Sequence, residues 1–146
     1  MRLNTRMRYG TRALLEMARH GEGRALAIHE IADEQGISAK YLEAIFATLR
    51  SAGLVRSTPG PQGGYHLGRP ADQITLRDLY ECLEGTQGFV PCTADRKACG
   101  RSADCVMQEV WADYLHSSLR YLEGITLADL SRRSPEAGSD ALSYAI

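Results

Sequence analysis

Three of the four cysteines in the 146-residue chain lie in one segment, PCTADRKACGRSADC, which covers residues 91–105. Six residues separate Cys92 from Cys99, and five separate Cys99 from Cys105. Thiolates are soft ligands that suit iron–sulfur clusters, zinc or copper(I). Structural zinc sites usually contain closer cysteine pairs, with about two to four residues between the two ligands. The spacing therefore favours a cluster over zinc. A thiol switch or a disulfide is the main alternative, and zinc or no bound group stays open.

The expected compartment bears on the choice between metal binding and disulfide formation. The N-terminal sequence contains no apolar run of signal-peptide length, and no run of about 18 apolar residues occurs. We therefore expect a cytoplasmic protein that does not bind membranes. In that compartment thiols stay reduced, and clustered cysteines more often bind metal or react than form disulfides. The composition, with 44% hydrophobic and 24% charged residues, is that of a soluble globular protein.

A cysteine-dependent enzyme would need a histidine or an acidic residue placed beside its nucleophile. The four histidines, His20, His29, His66 and His116, are scattered along the chain. None stands beside a cysteine in a recognisable motif, so we expect no enzymatic activity.

The charge is unevenly distributed. Residues 1–69 carry 10 Lys/Arg against 6 Asp/Glu, whereas residues 70–146 carry 7 against 12. Arg2, Arg6, Arg8 and Arg12 fall within the first twelve residues, which contain no acidic residue. A basic N-terminal half suits a polyanionic partner such as DNA, and a solvated basic helix is the alternative.

Hydrophobic periodicity predicts a helix over about residues 5–20, followed by a short helix in IHEIADEQ that ends at Gly36. The next stretch, ISAKYLEAIFATLRSAGLV, reads as a helix with Ser38 as its N-cap and a buried stripe on one face. The stripe contains Tyr41, Leu42, Ile45, Phe46 and Leu49. Two helices joined by a short turn indicate a helix-turn-helix.

The segment LVRSTPGPQGGYHLGRP then predicts a β-hairpin, with strands over residues 54–57 and 65–67 and a tip from Pro59 to Gly64. A hairpin directly after a helix-turn-helix is the wing of a winged helix. Gly63 and Gly64 permit a positive φ and a close approach to phosphates or to a minor groove.

Beyond the hairpin, TLRDLYECLEG predicts a helix opened by a capping box of Thr75 and Asp78, with Cys82 as a small core residue rather than a ligand. A long loop over about residues 85–104 contains the three cysteines. The following helix carries a seam of side chains four and three apart, which predicts packing against a second copy, with packing inside the chain as the alternative. The seam consists of Met107, Trp111, Tyr114, Ser118, Tyr121 and Ile125. A short helix in TLADL, capped by Thr126 and Asp129, precedes a tail without helical periodicity.

Four separate motifs, in order, resemble the Rrf2 family of bacterial winged-helix transcription regulators. They are the opening MRLNTRMRYGTRALLEMA, the stretch IHEIADEQGISAKYLEAIFATLRSAGLV, the wing STPGPQGGYHLGRP and the closing ITLADL. The resemblance implies a mainly α fold with a small hairpin wing. It divides the chain into a DNA-binding region (1–70), a cluster loop with dimerisation helices (71–131) and a flexible tail (132–146). It also implies a homodimer on pseudo-palindromic double-stranded DNA, with the helix around residues 106–123 as the dimer contact.

The resemblance further implies that Cys92, Cys99 and Cys105 hold a [2Fe–2S] or [4Fe–4S] cluster. Two familiar fourth ligands are missing: some relatives have a histidine where this chain has Gln108, and others have an aspartate where it has Arg8. The fourth ligand therefore stays open, with Asp104, Glu109 and His116 as nearby donors. A weakly ligated iron favours sensing of redox state, iron, oxygen or nitric oxide. A cluster-free regulator that responds to a metabolite or to cysteine oxidation is the alternative.

In a winged helix the second helix of the helix-turn-helix enters the major groove. The residues at its leading end are Ser38, Ala39, Lys40, Tyr41 and Glu43. We expect Lys40 and Tyr41 to contact phosphates or base edges, and Glu43 to accept a hydrogen bond from cytosine N4. Arg2, Arg6 and Arg56 would neutralise phosphates, together with the Gly63–Gly64 backbone. In place of the basic residue that many relatives carry before the first wing glycine, this chain has Pro59.

Overall fold

The computed structural model describes residues 3–21, 23–85 and 90–133. Helices and one two-stranded sheet follow one another along the chain. The helices are α1 (Thr5–His20), α2 (Ile28–Gln35), α3 (Ala39–Ser51), α4 (Leu76–Leu83), α5 (Pro91–Ala94), α6 (Val106–Glu123) and α7 (Leu127–Ser131), and the strands are β1 (Val55–Thr58) and β2 (Gly64–Leu67). Single 3-10 turns occur at Ala71–Gln73 and Arg96–Ala98. Of the predicted tail, residues 134–146 lie outside the described part.

The first three helices begin and end where the sequence predicts. The Asn4 side chain caps α1 by accepting a hydrogen bond from the Met7 N–H at 2.8 Å. Gly36 ends α2 in the left-handed conformation, with φ 64°. The Ser38 Oγ accepts from the Tyr41 N–H at 3.1 Å and caps α3. Glycine at the C-terminus of one helix and serine at the N-terminus of the next fix the turn of the helix-turn-helix.

The hairpin packs on α3 and continues into the loop before α2. Arg56 pairs with His66, and Val55 pairs with Leu67, in an antiparallel register. Tyr65 exchanges both backbone hydrogen bonds with Leu26, which extends the hairpin by an isolated bridge. The Tyr65 ring meets the Phe46 ring edge to face, with the ring centres 4.8 Å apart. These contacts fix the wing relative to α3.

One hydrophobic core contains side chains from both sides of residue 70. It consists of Met7, Ala13, Leu14, Met17, Leu26, Ile31, Ala32, Leu42, Ile45, Phe46, Leu49, Leu54, Val55, Ile74, Leu79, Tyr80, Leu83 and Leu127. At Gly10, a Cβ atom would lie 2.5 Å from Leu83 Cδ1, so glycine allows α1 to approach α4 closely. Tyr41, predicted as buried, is half-buried, whereas Tyr80 is buried without having been predicted.

Two identical capping boxes hold the end of α6 against this core. Thr75 and Asp78 cap α4, and Thr126 and Asp129 cap α7, as the sequence predicts. The two caps lie side by side, because Thr75 and Thr126 form an antiparallel bridge. None of the helices in the described residues has the length and apolar composition needed to cross a bilayer.

Candidate functional site

The N-terminal end of α3 presents charged side chains to solvent. Lys40 and Glu43 are exposed, whereas Leu42 between them is buried in the core. The Ser38 hydroxyl is occupied by the cap, and Ala39 is half-buried. Lys40 and Glu43 are therefore the residues of this set whose side chains are most accessible to a partner.

Tyr41 packs against α1, whether or not it also contacts DNA. Its ring lies edge-on to the ring of Tyr9, with the centres 6.1 Å apart. The Arg12 guanidinium lies 5.9 Å from the centre of the Tyr9 ring and also donates to Gln35 Oε1 at 2.8 Å. Tyr41 therefore belongs to a chain of contacts that holds α3 and α2 on α1.

The predicted phosphate-binding arginines have different surroundings. Arg6 is exposed, and its Nη2 donates to Thr48 Oγ1 on α3 at 2.7 Å. Arg56 is exposed on β1 and lines a cavity of about 210 Å³ at the base of the hairpin. Arg2 lies outside the described residues.

Three further basic residues, His66, Arg24 and Arg69, line the same cavity, and no sequence pattern predicts them as DNA contacts. Arg24 Nη2 lies 2.6 Å from Glu30 Oε1, and Arg69 Nη2 lies 3.5 Å from Asp78 Oδ2. The pKa of Glu30 is lowered, mainly by the hydrogen bond from the Ala27 N–H and also by Arg24. The Arg56–His66 pairing follows from the hairpin register, so that neighbour could have been found from sequence.

The wing glycines are required by contacts within the chain. A Cβ atom on Gly63 would overlap the Thr58 carbonyl oxygen, and one on Gly64 would lie 2.6 Å from the Leu26 carbonyl oxygen. Gly64 has φ 150°, whereas Gly63 is not among the glycines with positive φ. The close backbone approach that was expected at a DNA surface therefore occurs within the protein. Contact of Gly63 and Gly64 with DNA stays a prediction.

The three clustered cysteines are free thiols placed around the start of α6. Cys92 is half-buried in α5, Cys99 is exposed after the second 3-10 turn, and Cys105 is the half-buried N-cap of α6. Cys82 is separate from them: it is half-buried in α4, and its Sγ lies 3.8 Å from the Thr48 carbonyl oxygen. Burial raises the pKa of the Cys82 thiol. Its placement agrees with the prediction of a core residue.

Two buried polar side chains stabilise the cysteine segment. Ser102 is 5% exposed and Gln108 is 6% exposed, and within the described residues no other polar or charged residue is buried. The Gln108 Nε2 donates to the Cys92 carbonyl oxygen at 3.2 Å. The Ser102 Oγ donates to the Cys99 carbonyl oxygen at 2.8 Å. From sequence alone, Gln108 stands only where some relatives have a histidine ligand, and its buried hydrogen bond is evident only in the structure.

The donor chemistry of the segment fits an iron–sulfur cluster. All three residues offer thiol sulfur, and their hydrogen-bonded atoms are carbonyl oxygens rather than sulfurs. Among the described residues, the sulfur atoms of the three cysteines do not all lie within 4.8 Å of one another, as the ligands of a single ion would. Glu16, His20 and Glu34 do so, as a surface group at the ends of α1 and α2 in which His20 Nε2 lies 3.1 Å from Glu16 Oε1.

The outer face of α6 is apolar and exposed. Val106, Met107, Val110, Trp111, Tyr114 and Tyr121 are each between 40% and 74% exposed. At 100° per residue, these six side chains span an arc of about 140°. Leu119 and Leu122 lie outside this arc, at about 220° and 160° on the same scale from Val106, and pack against the core. The helix therefore has an exposed apolar face that lies beside the face packed on the core, and a polar side that carries residues such as His116.

Comparisons with known proteins identify the family of this fold. Residues 3–133 match the family model Rrf2, described as an iron-dependent transcriptional regulator. The chain belongs to the Rrf2 family. It is 42% identical over 132 residues to Protein rrf2 of Nitratidesulfovibrio vulgaris, which covers 90% of this chain and 88% of that one.

Two solved structures of regulators are similar to this one. The IscR structure from T. potens has a TM-score of 0.76 and 34% identity, over 94% of this chain and 91% of that one. The structure of CymR, named as the global cysteine regulator of B. subtilis, has a TM-score of 0.74 and 31% identity, over 90% and 96%. The predictions of an Rrf2-family transcription regulator and of a mainly α winged-helix fold are confirmed. Regulators of this family bind DNA.

Proposed function

We propose that the protein is a cytoplasmic, homodimeric Rrf2-type regulator whose operator binding depends on an iron–sulfur cluster held by Cys92, Cys99 and Cys105. The observation that carries the proposal is the position of three free thiols on one segment that runs directly into α6. Cys105 is the N-cap residue of that helix. Such a cluster would supply iron whose redox state or loss is the signal.

DNA reading is proposed for the N-terminal end of α3. Lys40 and Glu43 are exposed there, and the first turn of a helix also presents free backbone N–H groups to phosphates. In the major groove, Glu43 would accept from cytosine N4, while Lys40 would donate to a phosphate or a base edge. Arg6 and Arg56 would contact the backbone, where they add affinity without reading sequence.

The dimer contact is proposed for the exposed apolar face of α6. Large apolar side chains on one face of a helix are commonly covered by another protein surface. A second copy of the chain is the occupant that matches a pseudo-palindromic operator, because twofold symmetry places one α3 in each half-site. Met107, Trp111, Tyr114 and Tyr121 are the predicted seam residues among the exposed ones.

We expect the cysteine segment to be coupled to the DNA-reading end of α3 through α6, the helix that carries the proposed dimer contact. The half-sites of an operator are separated by a whole number of helical turns, so the spacing of the two reading helices affects affinity. A change in the Cys92–Cys105 segment acts at the N-terminus of the dimer helix. If that change shifts the helix in the dimer, it changes the spacing of the reading helices and therefore operator affinity.

Anaerobic purification tests the cluster directly. We expect a brown protein with broad visible absorbance and matching iron and sulfide contents. Replacing Cys92, Cys99 or Cys105 by Ser should remove both while circular dichroism stays unchanged, because these residues lie outside the hydrophobic core. Cys82→Ser is the matched control and should keep the iron and sulfide. Loss of the cluster in the control, together with retention in a segment variant, would overturn the ligand assignment.

A cluster-free thiol switch is the second candidate, and the exposure of Cys99 favours it. The likeness to CymR, named as the global cysteine regulator of B. subtilis, supports a cluster-free regulator in general, whether it responds to a metabolite or to cysteine oxidation. Hydrogen peroxide would convert two thiols of the segment to one disulfide and would itself be reduced to two water molecules. We would then expect operator affinity of metal-free protein to change on peroxide treatment and to return with a thiol reductant. The cluster proposal instead expects the change to follow iron content.

A further inference from the structure

We propose that Gln108 and Ser102 are positioning residues that fold the segment from Cys92 to Cys105 into a frame for its three thiols before any cluster binds. Gln108 and Ser102 are the two buried polar residues of the described chain; Ser102 lies within this segment, and Gln108 contacts it from the first turn of α6. A buried polar group is costly unless it is hydrogen-bonded, so its presence in the segment requires a compensating contact. Both residues have such a contact, and in both cases the partner is a cysteine carbonyl.

All three cysteine carbonyl oxygens accept hydrogen bonds from these two residues. The Cys92 oxygen accepts from Gln108 Nε2 at 3.2 Å, and the Cys105 oxygen accepts from the Gln108 backbone N–H at 3.1 Å. The Cys99 oxygen accepts from the Ser102 backbone N–H at 3.1 Å and from its Oγ at 2.8 Å. Arg96 Nη2 in turn donates to the Ser102 carbonyl oxygen at 3.4 Å. The backbone at each ligand position is therefore fixed while the sulfurs stay available.

Gln108 links the segment to the rest of the fold. It occupies the first turn of α6 on the face that packs inward, outside the arc covered by the exposed apolar side chains. Its side chain reaches back across sixteen residues of sequence to Cys92. The link joins the α5 end of the segment to the helix that carries the proposed dimer contact. A side-chain amide that orients the backbone at Cys92 explains why this glutamine is buried, without requiring that it bind iron.

The test uses the reduced, metal-free full-length protein, in which the frame can be measured without a cluster. Hydrogen–deuterium exchange of residues 91–108 reports local opening, and alkylation by N-ethylmaleimide, read by mass spectrometry, reports the accessibility of each thiol. Gln108→Leu keeps the side-chain size and removes the donor, which leaves the Cys92 oxygen without this partner. We expect exchange and Cys92 alkylation to become about tenfold faster, the factor that corresponds to about 1.4 kcal/mol. Cys82 serves as the internal reference and should keep its rate.

Gln108→Glu separates the frame from the stability of α6. Glutamate is favourable in the first turn of a helix, so the helix should persist while a carboxylate faces the Cys92 oxygen. Ser102→Ala should raise exchange around Cys99. The matched controls are Gln73→Leu, an exposed glutamine, and Ser131→Ala, whose Oγ makes the same bond to the third preceding carbonyl at 2.9 Å. Both controls should leave residues 91–108 unchanged.

Anaerobic reconstitution with ferrous iron and sulfide provides the second readout. The role of Gln108 and Ser102 in ordering the segment does not depend on the proposed cluster; only the identity of the group that the thiols bind rests on it. We expect Gln108→Leu to retain several-fold less iron and sulfide than the wild type after desalting. Equal exchange in wild type and Gln108→Leu, or exchange of the wild-type segment at the rate of an unfolded peptide, would overturn the frame even if a cluster forms. Protection that depends on Gln108 without cluster uptake would uphold the frame and reject the cluster.

Discussion

Trp111 allows the proposed dimer face to be tested by one substitution. It is the single tryptophan of the chain and lies on the exposed apolar face of α6, where it is 40% exposed. Trp111→Ala removes this surface and keeps a residue that favours helix. Because the substitution leaves the rest of the face intact, any change in association reports the burial of this side chain.

The expected effect follows from the exposed area. A tryptophan buries up to about 250 Å² when fully covered, so 40% exposure leaves about 100 Å² for a partner. At about 25 cal/mol per Å², this area contributes about 2.5 kcal/mol. A twofold dimer contains the residue twice, which gives about 5 kcal/mol, or a rise of between three and four orders of magnitude in the dimer Kd. Incomplete coverage in the dimer would reduce this figure.

Sedimentation velocity over a dilution series measures the Kd, and the fluorescence of Trp111 reports its environment at the same concentrations. We expect a wild-type dimer with blue-shifted emission that moves to longer wavelength as the protein dissociates. His116→Ala, on the polar side of α6, is the control and should leave the Kd unchanged. A wild-type protein that is monomeric at ten micromolar, or an unchanged Kd in Trp111→Ala, would refute the assignment of this face.

The proposed DNA contacts and the isolated cysteine provide further tests. Arg6→Ala and Arg56→Ala should each weaken binding to operator and random duplex alike, and should reduce the slope of log affinity against log salt by about one unit. Lys40→Ala and Glu43→Ala should mainly reduce the ratio between operator and random duplex, with about 1–3 kcal/mol for Glu43 at one base pair. Affinity titrations against both duplexes at several salt concentrations measure these effects. Because burial raises the pKa of Cys82, this thiol should need a higher pH for alkylation in the folded protein than in urea; equal pH profiles would contradict that shift.

The helices and the hairpin could be predicted from the sequence because local signals decide them. Gly36 and Ser38 define the turn between α2 and α3, and the structure shows both in these roles. The capping boxes at Thr75 and Thr126 likewise depend on residues three positions away in the chain. Signals of this range are fully present in sequence, since their partners lie in the same helical turn.

The interior of the cysteine segment could not be predicted in the same way. The segment was expected as a long loop, but it contains α5 and a 3-10 turn. The Gln108 side chain donates a hydrogen bond to a carbonyl oxygen sixteen residues away, and no pattern of residue types predicts a contact of this kind. Its burial depends on how α6 packs on the rest of the chain. Likewise, the cavity shared by Arg24, Arg56 and Arg69 arises from three segments that meet only in the folded protein.

The sequence predicts a positive φ and a close backbone approach at Gly64, and the structure has both, but the approach is to Leu26 of the same chain. A pair of substitutions can separate a requirement for packing within the wing from a requirement for DNA contact. Gly64 and Gly60 both have positive φ, at 150° and 107°. A Cβ atom on Gly64 would lie 2.6 Å from the Leu26 carbonyl oxygen, whereas one on Gly60 would meet nothing within 4 Å. Gly60→Ala should therefore cost only the backbone strain, about 1–2 kcal/mol, offset in part by the lower entropy of the unfolded chain.

Gly64→Ala should cost the strain of its own positive φ and, in addition, the displacement of Leu26 from its paired hydrogen bonds with Tyr65. We expect its free energy of unfolding, measured by urea denaturation in the absence of DNA, to fall by at least about 1 kcal/mol more than that of Gly60→Ala. If the two variants are equally stable and Gly64→Ala fails only in DNA binding, the glycine serves the DNA surface rather than the wing. A larger loss of stability in Gly64→Ala would instead mean that this glycine is needed to attach the hairpin to the loop before α2, whatever the wing contacts.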